Sequence, residues 1–216
     1  MNEEPGAVFD AHVRAEFVER SVDATMATMT DAPYVTHVPV MTGGYGRNEV
    51  RAFYENWFVG HWPADTQVTQ ASRTVGQGRV IDELVVSFTH DVEMPALLPG
   101  IAPTGHKVVL PHVVLMGIVD GKVAYEHIHW DQASLLVQVG LLDPATLQVV
   151  GAEQASKLRD PRLPSNELIR RAERQRIIVG ILRADHAWTN ASSPELGSHG
   201  SRGEPNRRAV SKIQSR

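Results

Sequence analysis

The hydrophobic period of this chain changes from helical to two near residue 65, and that change limits the folds open to it. Before that point apolar residues recur at helical spacing. Phe9, Val13 and Phe17 stand four apart, and Val22, Met26 and Met29 continue the stripe. The stripe ends at Asp31–Ala32–Pro33, because proline disfavours helix in the residue before it. Tyr34–Val40 reads as a short strand, with Pro39 marking an edge or a bend. After the turn TGGYGR a second helix is expected, in which Val50, Phe53, Tyr54, Trp57 and Phe58 follow the i, i+3, i+4, i+7, i+8 rule. Trp62–Pro63 closes it.

Beyond residue 65 the period is two. Thr66–Val75 reads as a half-exposed strand, and Val80–Met94 as a stronger one with Leu84, Val86, Phe88, Val92 and Met94 on one face. Pro95–Gly105 is a turn-rich loop carrying Leu97, Leu98 and Ile101. Lys107–Val119 is apolar on both faces and so central. Asp120–Gly121 is a hairpin turn, and Lys122–Asp131 returns from it. Ala133–Leu142 reads as a short closing helix or loop. Helices followed by antiparallel strands predict an α+β domain, a curved sheet wrapped on helices around a cavity of the kind that takes small molecules. From Leu158 prolines interrupt the chain, and Ser165 precedes a helix expected over Glu167–Arg183. Residues after Trp188 are rich in Ser, Gly and Arg and read as disordered. The division expected is 1–157 for the α+β domain, 158–187 for a helical extension and 188–216 for a tail.

Composition excludes several classes of function. A formal net charge of −4 over 216 residues leaves no whole-chain footprint for nucleic acid, and no apolar run is long enough to cross a bilayer. With no cysteine there is no thiol nucleophile, disulfide or Cys–metal site. The N-terminus is acidic and lacks the pattern of a secretory signal, so a cytoplasmic location is expected. Neither a nucleophile elbow nor a phosphate-binding glycine loop is present.

Within Glu126–Gln132, EHIHWDQ, two histidines and an aspartate stand two apart, at His127, His129 and Asp131. Strand alternation places Val123, Tyr125, His127, His129 and Asp131 on one face, and Ala124, Glu126, Ile128 and Trp130 on the other. A histidine beside a carboxylate is what general acid–base catalysis needs, although two-apart polar residues are also what any half-exposed strand displays. His37, His90 and His112 each interrupt an apolar face. A histidine so placed is usually a core residue with its partners satisfied. Joined to His127 and His129, they would alternatively make a metal site, though no helical second-ligand motif accompanies them.

The order of several motifs resembles the SnoaL-like polyketide cyclases of the nuclear transport factor two superfamily. The matching residues are Ala102–Gly105, Asp120–Lys122, Glu126–His127, Trp130–Gln132 and Leu135–Leu142. The start fits as well, through Val22–Met29 with Asp31 and then Gly44–Tyr54, so that the likeness spans Phe9–Leu142. It implies a cone-shaped sheet and helices around an apolar pocket, and a cofactor-free aldol-type closure in which Asp131 is the acid/base. His127, His129 and the extension past Leu158 depart from the cyclase pattern. The expectation is a cofactor-free enzyme for a small apolar carbonyl compound, working as a cyclase, isomerase or dehydratase. Asp131 moves the proton and His129 tunes it, while His127 and His37 hold a substrate oxygen. The pocket is expected from Phe53, Tyr54, Trp57, Phe58, His90 and His112, with Met94, Leu97, Leu98 and Ile101 as a lid. By analogy the chain pairs as a homodimer. The competing readings are a non-catalytic binding or dimerisation module and a histidine-based metalloprotein.

Overall fold

A computed structural model describes residues 4–177. The reading of residues 188–216 as a disordered tail, and the last turns of the expected C-terminal helix, lie outside the described residues. Helix α1 spans Pro5–Phe17, with Pro5 in its first turn where a missing N–H costs nothing. The helical stripe does not run on to Met29 as one helix. Arg20 adopts a positive φ of 50°, and Ser21 then caps a separate short α2, Val22–Ala27, by accepting from the Ala24 N–H at 3.2 Å. Met29 already belongs to strand β1, Met29–His37.

Strand β2 (Thr42–Tyr45) turns back on β1, and helix α3 (Arg47–Phe53) runs on into a π-helical turn, Tyr54–Phe58. Four long strands follow: β3 (Gln67–Gly76), β4 (Arg79–Thr89), β5 (Lys107–Val119) and β6 (Lys122–Trp130). Helices α4 (Gln132–Gln138) and α5 (Glu153–Arg159) come after them, and the compact unit ends at Ile169. Residues 167–177 are helical.

The six strands form one curved sheet in the order β2-β1-β6-β5-β4-β3, and the class is α+β as expected. The sheet is mixed and not wholly antiparallel, because β1 lies parallel to β6. The chain reaches β6 from β1 through α3 and four other strands, so no hairpin forces those two to oppose each other. The β5–β6 hairpin does turn at Asp120–Gly121, whose φ values of 50° and 72° are those of the tight turn that matches strand twist.

One irregularity in that hairpin decides which side chains face inward. Gly117 pairs with Tyr125 and Ile118 with Val123, so Ala124 is left over as a bulge. Val123 and Glu126, three apart, are therefore both buried. From Glu126 onward the inner residues are Glu126, Ile128 and Trp130. They pair directly with Met116, Val114 and His112 of β5, whose side chains share their face. Among the described residues no helix is long and apolar enough to cross a membrane.

Candidate active site

The inner face of the sheet and helices α1 and α3 line an apolar cavity. Its wall is aromatic and aliphatic, from Phe9 and Phe17 of α1, Phe53 and Phe58 of the α3 segment, Trp62, and sheet residues such as Leu84, Val86 and Ile128. Few polar side chains interrupt it. They form two contacting sets: Glu16, Tyr54 and Glu126 gather at His12, and His37 and His112 flank Trp130.

The first group is built around His12, which is fully buried. On α1, Phe9, Val13 and Phe17 reach the cavity, and His12 and Glu16 occupy the remaining positions of the same inward stripe. His12 Nδ1 stands 2.6 Å from the Thr28 hydroxyl. That hydroxyl gives its own proton to the Thr25 carbonyl, so it accepts from the ring. His12 Nε2 lies 2.6 Å from the Glu126 carboxylate and 3.3 Å from that of Glu16. Both ring nitrogens thus face acceptors, which is the arrangement of an imidazolium. Burial by itself would lower the His12 pKa, but the Glu126 and Glu16 charges beside it raise it to about 10.

The two carboxyls part company. Burial pushes the Glu16 carboxyl up, and a repulsive Glu126 adds to that against the pull of His12. Burial also works to raise Glu126, yet the His12 charge and hydrogen bond, with help from His37, outweigh it and hold Glu126 down. Tyr54, raised well above its usual value by burial and by both carboxyls, stays a phenol and donates to Glu126 Oε1 at 3.2 Å. The result is a buried ion pair, His12–Glu126, beside a carboxyl, Glu16, that keeps its proton more readily. Two carboxyls driven apart in this way supply an acid and a base at one place.

Several residues singled out in the sequence stand elsewhere. Asp131 is exposed, and its carboxylate caps α4 by accepting from the Ala133 and Ser134 N–H groups at 2.9 and 3.3 Å. It also accepts from Gln154. His127 and His129 lie on the outer face. His127 packs between the rings of Tyr34 and Tyr125, at 5.5 and 5.2 Å, and His129 is exposed opposite Val113. The face rich in titratable groups is the outward one, because the more apolar face, with Ile128 and Trp130, is the one that gains by leaving water. His90 is buried but outside the cavity wall, with Nδ1 3.1 Å from the Thr104 hydroxyl and Nε2 without a hydrogen-bond partner among the described residues.

Trp57 is 48% exposed. The π turn, in which the Val59 N–H reaches the Tyr54 carbonyl at 2.8 Å, widens the helix and swings that position outward. Phe53, Tyr54 and Phe58 stay inside. Met94, Leu97 and Leu98 are buried core residues, so the loop presents no row of aliphatics as a lid; of these three only Leu97 lines the cavity. His37 and His112 do line it.

His12, Glu16 and Glu126 were not singled out in the sequence, although a signal was there. His12 and Glu16 fill two places of an apolar stripe, and Glu126 is the one charged residue on the apolar face of its strand. Their three ligand atoms lie within 4.8 Å of one another, and they are the one group of this kind among the described residues. The histidine set expected for a metal is not gathered there.

No family model and no curated protein matches this chain. Solved structures do. A candidate SnoaL-like polyketide cyclase from Jannaschia sp. CCS1 is similar with a TM-score of 0.52 and 18% identity, over 66% of this chain and 98% of that one. IdmH, a candidate polyketide cyclase from Streptomyces antibioticus, is similar at 0.50 and 15%, over 63% and 98%. At such identities the likeness is one of fold. The chain has the α+β fold of these SnoaL-like and polyketide-cyclase structures.

Proposed function

We propose that this chain is an acid–base enzyme acting on a small, largely apolar carbonyl compound, with Glu126 as base and Glu16 as acid. One observation carries the reading: two buried carboxyls in an apolar cavity meet the same imidazole nitrogen, and their surroundings drive their proton affinities apart. Glu126, ionised and held by His12 and Tyr54, takes a proton from the carbon beside the carbonyl. Glu16 gives a proton or a hydrogen bond to the carbonyl oxygen as charge builds there. His12 touches both carboxyls and holds the geometry. An enolised substrate then closes a ring, shifts a double bond or loses water, and the site needs only its own residues for each outcome. The fold shared with candidate polyketide cyclases is consistent with the first.

The test is hydrogen–deuterium exchange at the carbon next to the carbonyl in a panel of cyclic ketones such as 2-tetralone, followed by NMR in deuterated buffer. Wild type accelerates exchange, and Glu126→Gln lowers the rate by at least 100-fold with the fold intact. Exchange that persists in Glu126→Gln overturns the reading, and no acceleration with any ketone favours a binding module. A second reading rests on the same trio. One histidine and two carboxylates within reach of a common point can hold a divalent cation. Calorimetric titration with Zn²⁺ or Mn²⁺ decides it, since binding there must vanish in Glu126→Gln.

A further inference from the structure

The second polar group of the cavity, His37, His112 and Trp130, has a chemistry of its own. His37 stands on β1 opposite Ile128, and His112 on β5 opposite Trp130. The two imidazoles flank the Trp130 ring, each with its centroid 5.6 Å from it. They are 3% and 4% exposed and form part of the cavity wall.

Hydrogen bonds assign the tautomer of both rings. His112 Nδ1 lies 3.2 Å from the Leu110 carbonyl, which can only accept, so that nitrogen carries the hydrogen. His37 Nδ1 lies 3.1 Å from the Thr42 hydroxyl, whose proton goes to the Ala96 carbonyl at 2.7 Å. Thr42 therefore accepts, and His37 too carries its hydrogen on Nδ1. Burial lowers both rings to about 4, so each is neutral and its Nε2 is a bare lone pair. Among the described residues neither Nε2 has a hydrogen-bond donor from the protein. Trp130, the one N–H between them, is spent on the Gln132 side-chain oxygen at 2.7 Å. This part of the wall offers two acceptors and no donor, so His37 does not present the N–H that would hold a substrate oxyanion.

We propose that His37 and His112 form an accepting subsite that selects substrates bearing a hydroxyl or other X–H donor remote from the reacting carbon. Along β6, Ile128 and Trp130 are two and four residues from Glu126, which sets the donor about 7–13 Å from Glu126 along the strand. The substrate class is a hydroxylated, largely apolar ring compound, its carbonyl toward Glu16 and Glu126 and its hydroxyl toward the histidines. A ketone or ether oxygen at the far end meets lone pairs and leaves two buried acceptors unmet. This assignment of ends rests on the carboxyls being the reaction centre; the accepting character of the histidines does not.

The test is affinity, measured by calorimetry on the full chain with 2-naphthol and with 2-methoxynaphthalene, which keeps the rings and loses the donor. Wild type binds the naphthol roughly 10- to 100-fold more tightly. The preference collapses in His112→Phe and in His37→Phe, and survives in Glu126→Gln. Equal affinity for the two probes, or no measurable affinity for either, overturns the proposal. So does a preference lost in Glu126→Gln and kept in the histidine variants, since the hydroxyl would then sit on the carboxylate. Long-range ¹H–¹⁵N spectra of wild type guard against variants that fail to fold: naphthol must shift the Nε2 resonances of two histidines, and unshifted resonances refute the subsite. Failure of ketone exchange with the naphthol preference intact would sink the acid–base reading alone.

Discussion

Glu16 and Glu126 differ in what surrounds them and in nothing else, and that difference sets the pH range of the chemistry. Glu126 is held below its ordinary value and Glu16 above it. The rate of ketone exchange is expected to rise with pH on a limb below the usual carboxylate range, as Glu126 ionises, and to fall on a limb above it as Glu16 loses its proton. Glu16→Gln should remove the alkaline limb and leave the acid one; a profile unchanged in Glu16→Gln would deny that residue its role. Asp131 gives the complementary case. Its substitution by alanine removes the α4 cap, a loss of about 1 kcal/mol in stability. Exchange activity in Asp131→Ala should equal wild type, and a 100-fold loss would return the chemistry to that carboxylate.

At the scale of elements, two local departures from regular geometry shape the site. The bulge at Ala124 puts both Val123 and Glu126 inside, and the π turn at Tyr54–Phe58 keeps Phe58 inside while turning Trp57 out. The placing of α1 over the sheet has its own anchor. Asp82 on β4, 1% exposed, accepts from Arg73 Nε and Nη2 at 2.7 and 2.8 Å, and Arg73 also donates to Asp10 of α1 at 2.7 Å. The guanidinium lies 4.8 Å from the centre of the Phe9 ring. Arg73→Ala leaves the Asp82 carboxylate buried and unpaired, at a cost of roughly 3 kcal/mol in urea denaturation. Replacing Arg73 and Asp82 together by leucine should cost less than Arg73→Ala alone. If it costs more, the pair itself and not the stranded charge is what stabilises α1 against the sheet.

For the whole molecule, the buried histidines link stability to pH in opposite senses. His37 and His112, lowered to about 4 from an ordinary 6.5, stabilise the fold above pH 6.5, and that contribution is lost as pH falls through 4. Each is worth roughly 3 kcal/mol. His12, raised to about 10, stabilises fully below pH 6.5 and loses its contribution as pH rises through 10. Denaturation at a series of pH values should therefore show greatest stability near pH 6.5. The acid decline shrinks in His112→Phe, and the alkaline decline shrinks in His12→Gln. A curve unaffected by either substitution would contradict these proton affinities.

The α+β class, the four long strands, the turn at Asp120–Gly121 and an aromatic cavity all follow from patterns within a few residues of each other, and such patterns are written in the sequence itself. Apolar period and turn chemistry act locally, so Phe53, Tyr54 and Phe58 are legible as an inward row without knowledge of what they face. The position of the acid–base pair is not local. Alternation along β6 separates His127, His129 and Asp131 from Glu126, Ile128 and Trp130, but it cannot say which set turns inward. That depends on the cross-strand partners Met116, Val114 and His112 and on the helix laid over them. His12, Glu16 and Glu126 become one site only because α1 packs across strands β3 to β6, joining residues 110 or more positions apart. Tertiary contact alone makes an ion pair, an acid and two unmet acceptors out of side chains that the sequence shows singly, since charge interaction and burial depend on distance in space and not along the chain.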